Sequence, residues 1–301
     1  MLHDRLESEA LTAFAPDVKV GLLATRDADG RPHVSLITSL AARDETHLMF
    51  GQFSEGWSKQ HLRRDPRAGF LVLTLDRRLW RGKARWTGAE TEGADHQAYN
   101  ARPMFRYNAY FGVHTVHHLE LVATTRRETL PLVGMLAGGL LSQAGRLSFG
   151  GKHRPDPFNA WTRRHLQAAT TLKFLAWTDP DGYPRLVPCV PCALDGRDRL
   201  LFATTVHGRE LGALQGGTSV AVFALNLQTE SVLLRGTYRG ARGLGPARLG
   251  ALDIDWVYNS MPPTPGPIYP SVQVPARPPS RCQVISTDFD RGFRPRDDDR
   301  L

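Results

Sequence analysis

The chain is 301 residues long and 41% hydrophobic, enough for two ordinary domains and too apolar for a largely disordered protein. Its formal charge of +8 is spread in short clusters such as Arg63-Arg64 and Arg163-Arg164, with no long basic arm, so a small anionic ligand is expected and nucleic acid is not. Three cysteines exclude a disulfide scaffold, and with no leader-like N-terminus or bilayer-length apolar run a cytoplasmic protein without membrane contact is expected.

Leu6, Ala10, Leu11 and Phe14 at helical spacing predict a helix over 4–14. A strand over 19–25, the turn Asp27-Ala28-Asp29-Gly30 and a returning strand over 32–40 form a hairpin. A strand over 47–53 follows, then a loop and a short helix over 58–64, with Ser58 as the expected N-cap and Asp65-Pro66 as the stop. Residues 68–75 read as a buried strand, and 80–90 as a strand of alternating basic and bulky residues. A helix over 94–107, interrupted at Pro103, leads to a strand over 112–124 rich in β-branched residues and histidine. Residues 130–143 read as a connecting helix and 145–155 as a basic linker. A helix over 157–171 then takes the place of the first.

The stretch from 20 to 89 now recurs. Gly182 follows Gly30 by 182 − 30 = 152 positions, and the same offset pairs Asp29 with Asp181, Pro32 with Pro184, Leu48 with Leu200 and Gly56 with Gly208. Turns, strand positions and glycines in one register indicate a duplicated domain, divided as 1–145 and 146–301. Beyond Ala241 the copy loosens. Tyr258-Asn259 echoes Tyr99-Asn100 at 259 − 100 = 159, which implies a small insertion. Residues 262–279 are proline-dense, 284–289 read as a last strand and 294–301 as a charged tail.

The segment from Leu48 to Pro66 carries the most chemistry. A strand ends in a polar, glycine-bearing loop that feeds a short helix, where backbone N–H groups, the Ser58 hydroxyl and the Lys59 ammonium can together hold a phosphate. Read without further context, the same residues make a capped surface helix with a solvated lysine.

The order of elements, the Asp-Gly-x-Pro of the first hairpin, and Ser58-Lys59-x-x-Leu62-x-x-Asp65-Pro66 after a strand resemble the pyridoxamine-phosphate-oxidase-like, FMN-binding split-barrel family. The resemblance covers the first half and the second as far as about Ala241. It implies a mainly β fold of two tandem split barrels, a family usually homodimeric with flavin at the subunit interface, and here an internal pseudo-dimer that can itself dimerise. It implies FMN as cofactor, ahead of a deazaflavin or haem, and a flavin-dependent oxidoreductase acting on a small molecule. Carried over, Ser58 and Lys59 contact the flavin phosphate. Gly51, Gln52 and the backbone from Ser35 to Thr38 lie along the cofactor. The second copy offers Thr204 and Arg209, but Glu210 stands where the first has Ser58 and would repel a phosphate. The strand over 32–40 lacks the arginine and lysine typical of pyridoxamine phosphate oxidases, which argues against vitamin B6 oxidation itself.

The remaining features read as structural. Cys189 and Cys192 replace apolar strand positions by the repeat offset, so packing is expected. His114, His117 and His118 read as interface or core packing, with no metal site, and a haem-binding or haem-degrading protein is the competing reading. A non-enzymatic flavin-binding protein is the other. Lys83, Arg85 and Arg235 read as a solvated strand face, and Asp253 and Asp255 as surface residues. No side chain is assigned as catalytic acid or base.

Overall fold

The computed structural model describes residues 2–15, 18–53, 55–102, 112–145, 155–188, 190–243, 248–260 and 266–270. All lie within one compact unit, Met1–Ser271. The expected final strand and charged tail fall outside the described residues.

The first half begins with helix α1 (Ser8–Phe14) and continues through β1 (Lys19–Arg26), β2 (Pro32–Leu36), β3 (Ala41–Ala42), β4 (His47–Gln52), α2 (Trp57–Arg64), β5 (Arg67–Thr74), β6 (Arg78–Glu90), α3 (Ala94–Ala101), β7 (Thr115–Thr124) and β8 (Glu128–Thr129). Helices α4 (Leu132–Ala144) and α5 (Ala160–Gln167) lead into the second. That half runs β9 (Leu172–Thr178), β10 (Pro184–Val187), β11 (Cys192–Asp195), β12 (Arg199–Ala203), α6 (Gly208–Gly212), β13 (Ser219–Leu225), β14 (Ser231–Arg242), β15 (Leu249–Asn259) and β16 (Gly266–Tyr269).

The first sheet has the order β2-β1-β5-β6-β7-β4-β3, with β8 on β6; the second has β10-β9-β13-β14-β15-β12-β11, with β16 on β15. Shifting the first seven strands by eight gives the second order, and the strand pairs are antiparallel throughout. The bulges repeat too. The β6–β7 register slips between Lys83 and Ala84, and the β14–β15 register slips between Arg235 and Gly236, 152 positions on. The fold is therefore mainly β, two tandem split barrels.

Each barrel has its own core, built around Phe14, Phe50, Phe70 and Trp80 in the first and Phe202, Leu234 and Tyr238 in the second. A third apolar layer joins them. Leu22, Val34 and Leu71 of the first half meet Phe174, Leu186 and Phe223 of the second, which are their own counterparts at the repeat offset. The interface is thus isologous, as in a twofold dimer. This explains why β1 and β5 are apolar almost without alternation. One face lines the barrel core and the other lines the joint. Gly69 on β5 marks a close backbone approach, since a Cβ there would stand 2.3 Å from the Pro184 carbonyl oxygen.

Three expectations are corrected. The strand over 32–40 ends at Leu36, and Leu40 N–H donates to the Ile37 carbonyl in a turn. The offset does not grow to 159 but shrinks. Leu48 pairs with Leu119 and its counterpart Leu200 pairs with Leu252, so the last strands are related by 252 − 119 = 133. The second half has lost 152 − 133 = 19 residues, because Arg242 at the end of β14 pairs directly with Leu249 at the start of β15 and leaves no room for a copy of α3. Tyr99 sits on α3 and Tyr258 on β15, so their echo is not a structural match. Asp253 is not a surface residue: it is 6% exposed and accepts from Arg199 and Arg239.

Helix α4 packs on the second sheet, where Gly138 lies against Thr205, Pro191 and Ala203. Cys192 opens β11 opposite Phe202, and its thiol donates to the Val190 carbonyl at 3.2 Å. Burial pushes that thiol up to about 12, the state of a packing residue rather than a redox nucleophile. Cys189 lies outside the described residues.

Candidate functional site: two related clefts between the barrels

The repeated bulges turn one cation of each half toward the other half's first hairpin. Lys83 Nζ lies 2.9 Å from Asp179 and 2.6 Å from Asp181. At the matching place Arg235 donates to Asp27. Both pairs follow the repeat, as 179 − 27 = 235 − 83 = 152. The Lys83 and Arg235 side chains are 13% and 6% exposed, so neither belongs to a solvated face. Arg85 is exposed as expected.

The first cleft surrounds the start of α2. Gly56, in extended conformation, is the N-cap and gives no side-chain cap. Ser58 is therefore inside the helix, 2% exposed, rather than at its cap. Lys59 is 8% exposed and its ammonium has no hydrogen-bond partner among the described residues. The side chain folds back toward the helix start, with Nζ 3.5 Å from where a Cβ on Gly56 would stand. Burial lowers the Lys59 pKa, against the opposing pull of Glu55.

Beneath it a chain of side chains is fixed by hydrogen bonds. Trp86 Nε1 donates to His117 Nδ1 at 3.2 Å, so His117 donates from Nε2 to Gln52 Oε1 at 2.7 Å, and Gln52 Nε2 donates to Glu55 at 2.8 Å. Burial first, then the charges of Lys59 and Arg63, hold His117 down to about 4, so the ring is neutral near pH 7.

An aromatic cluster from both halves packs around Trp57, the first residue of the same helix. Trp57 lies 5.0 Å from Tyr258 and 5.9 Å from Trp256, ring centre to ring centre, and the Arg235 guanidinium sits 3.7 Å over Trp256. His33 packs among Trp57, His61 and Tyr258, and its buried Nδ1 has no hydrogen-bond partner. His61 Nδ1 is bonded to Thr25 at 3.1 Å. Burial lowers the pKa of both histidines.

The second cleft, at the start of α6, has the opposite chemistry. Glu210, the counterpart of Ser58, accepts two 2.6 Å bonds from Arg81 of the first half and one of 3.2 Å from Arg185. Burial alone would raise its pKa, but the bonds and charge of Arg81, with Arg185, carry it below the ordinary value. Arg81 is also held by Glu128 and by the Leu186 carbonyl. A carboxylate therefore already sits where an anion would bind.

Of the residues singled out in the sequence, Gln52, Ser58 and Lys59 lie about the start of α2, while Gly51, one residue earlier on β4, faces the other way. Gly51 is packed on Val113 and Tyr99, with no room for a side chain. Ser35 is on β2, opposite Leu23, and Thr38 is in the turn that follows; both are half-buried. Thr204 and Arg209 belong to the second half. The Thr204 hydroxyl donates to the Arg248 carbonyl, and Arg209 is exposed. The residues missed by the sequence reading are His33, Trp57, His61, Trp256, Tyr258 and the pair Asp27–Arg235. The signal for the last was present, since at the repeat offset Asp27 and Asp179 are both acidic while Lys83 and Arg235 are both basic. Trp256 and Tyr258 had no such signal, because Ala123 and Thr125 stand at the first half's matching positions, 133 earlier.

Two antiparallel split barrels packed back to back, with a composite cleft between them, define the class of protein. The family model described as Pyridoxamine 5'-phosphate oxidase matches residues 8–126, within the amino-terminal barrel, and the second sheet repeats that barrel's topology. No curated protein matches the chain. Among solved structures, an FMN-binding protein from Syntrophomonas wolfei subsp. wolfei is similar at 15% identity and a TM-score of 0.36, covering 40% of this chain and 84% of that one. A pyridoxamine 5'-phosphate oxidase, so designated provisionally, from Lactobacillus delbrueckii is similar at 18% identity and 0.33, covering 41% and 95%. Group A Streptococcus HupZ is similar at 16% identity and 0.33, covering 40% and 91%.

Proposed function

We propose that the chain binds a phosphate-bearing flavin, FMN ahead of a deazaflavin, in the first cleft only, and works as a flavin-dependent oxidoreductase on a small molecule. The observation that carries this reading is Lys59, a largely buried side chain at the start of α2 whose ammonium has no hydrogen-bond partner among the described residues, beside the buried Ser58. Burying an unpaired charge is costly, and an anionic ligand at that point would remove the cost. The residues fit the group. Lys59, Ser58 and the first N–H groups of α2 would hold the phosphate, and Trp57, Trp256 and Tyr258 offer an apolar wall for a flat ring system. When bound, the flavin supplies the hydride or electron chemistry. The protein's part is to keep Gln52 and His117 in one hydrogen-bonded orientation and to keep water from the buried cation. The two barrels stand in for the two subunits of a homodimer.

The test is the absorption spectrum of the purified protein with added FMN, and separately with haem. One flavin per chain, lost in a Ser58→Ala, Lys59→Met variant that still folds, is expected. FMN affinity unchanged in that variant moves the phosphate elsewhere. A Soret band without flavin would favour the haem reading, and binding of neither would end the proposal.

A further inference from the structure

The histidine cluster of β7 divides between two faces. His117 turns inward to the first cleft, while His118 turns the other way, toward the wall of a cavity of about 520 Å³. Glu90 from the end of β6 and Asp95 from the first turn of α3 stand beside it. One donor atom from each of Glu90, Asp95 and His118 lies within 4.8 Å of the others. The turn between β6 and α3 creates this meeting. Gly93 has φ +115°, a backbone conformation that suits glycine, and this turn brings Asp95 back beside Glu90.

The cluster is incompletely bonded. His118 Nε2 is 3.6 Å from Glu90 Oε2 and His118 Nδ1 is 3.9 Å from Asp95, both beyond hydrogen-bond length. His118 Nε2 and Glu90 Oε1 are buried atoms with no hydrogen-bond partner. Arg43 Nε lies 3.1 Å from Asp95 Oδ2, but its side chain is half exposed and free to swing away. His47 is occupied by Asp44, and Glu120 adds a further carboxylate to the cavity wall.

We propose that Glu90, Asp95 and His118 form a binding site for a borderline first-row dication of the Zn²⁺ class, open to the cavity. One imidazole and two carboxylates suit such an ion better than Mg²⁺ or Ca²⁺, which prefer oxygen donors alone. An ion bound here would satisfy the two buried atoms left without a hydrogen bond, His118 Nε2 and Glu90 Oε1. The site ties α3 to β6 and β7. It is confined to the first half, since Arg242 and Ala251 stand at the positions of Glu90 and His118, and the 19-residue deletion removes α3. It does not depend on the flavin reading.

The test is titration of the full chain, without a polyhistidine tag and freed of metal by chelation, with Co²⁺ followed by its ligand-field bands in the visible. Saturation at one Co²⁺ per chain, reversal by Zn²⁺, and a rise in thermal stability with Zn²⁺ are expected. Loss of a partner behind a ligand already costs about 10–100-fold in affinity, so His118→Ala should cost at least that much. Glu90→Gln and Asp95→Asn keep shape and should weaken binding in the same way if His118→Ala fails to fold. Arg43→Ala should tighten it. No saturable uptake, or uptake unchanged in Glu90→Gln and Asp95→Asn but lost in His47→Ala, would overturn the site. FMN binding should be unaffected by Asp95→Asn.

Discussion

At the start of α2 a largely buried lysine makes no side-chain hydrogen bond among the described residues; at the start of α6, 152 residues on, a carboxylate lies between two arginines. The strand order and the bulge beside each site are the same in both halves, so the difference in charge comes from a few side chains. Ser58 became Glu210, and the cations moved from the helix to the strands, at Arg81 and Arg185. The first cleft has a lysine with no bonded anion among the described residues, while in the second the Arg81–Glu210 pair joins the two barrels. In the second copy the start of α6 is part of the joint between the barrels, through Arg81 and Glu210.

The largest expected effect tests the closed cleft. Arg81→Met leaves Glu210 and Glu128 without their main partner and should cost about 3–5 kcal/mol, read from urea unfolding. A loss below 1 kcal/mol, on the order of a surface pair, would mean that the cross-barrel pair is not structural.

The next concerns acid. His33, His61 and His117 belong to the first half, whose counterparts Arg185, Ala213 and Gly250 do not titrate between pH 4 and 7. With a folded value of about 4 for His117, the unfolded chain binds more protons between there and its ordinary value of about 6.5. Stability from this group is full above about pH 6.5 and falls by about 3 kcal/mol as the pH drops to about 4. His117→Gln should flatten that part of the pH–stability curve. An unchanged slope would assign the loss to other groups.

Glu210→Ser makes the second cleft resemble the first. Arg81 keeps Glu128 and Arg185 keeps Asp179, so the cost should be about 1–2 kcal/mol, partly restored by inorganic phosphate. No response to phosphate would show that the two clefts differ in more than their charges. The smallest effect has the opposite sign. Lys59→Met should stabilise the cofactor-free protein by about 1 kcal/mol, because it removes an unpaired buried charge, while it abolishes phosphate affinity. Destabilisation would mean that the ammonium has a structural partner.

The duplication was legible because turns need particular residues. Gly30 and Gly182 both adopt positive φ, at 75° and 82°, in hairpins closed by Asp27 and Asp179. Apolar β1 and β5 were legible as buried strands, although not why both faces were buried. The composite cleft was less visible. Periodicity along one strand assigns a face but not what covers it, so Arg235 read as solvated and Asp253 as a surface residue. His33 gave no signal because its neighbours come from α2 and, 225 positions later, from Tyr258 (258 − 33 = 225). The second half's missing helix was misread because two matching residues at 159 outweighed a strand register that only pairing reveals.

The reciprocal joint has one further consequence. Two barrels on separate chains would meet only as often as dilution permits, and a cleft shared between them would come apart at low protein levels. Here Asp27 meets Arg235, and Asp179 meets Lys83, within a single polypeptide, so each encounter is governed by a fixed effective concentration. The shared cleft should therefore persist in a cell that makes only a few copies of the protein, and each copy is free to change its half of the cleft without imposing the same change on the other.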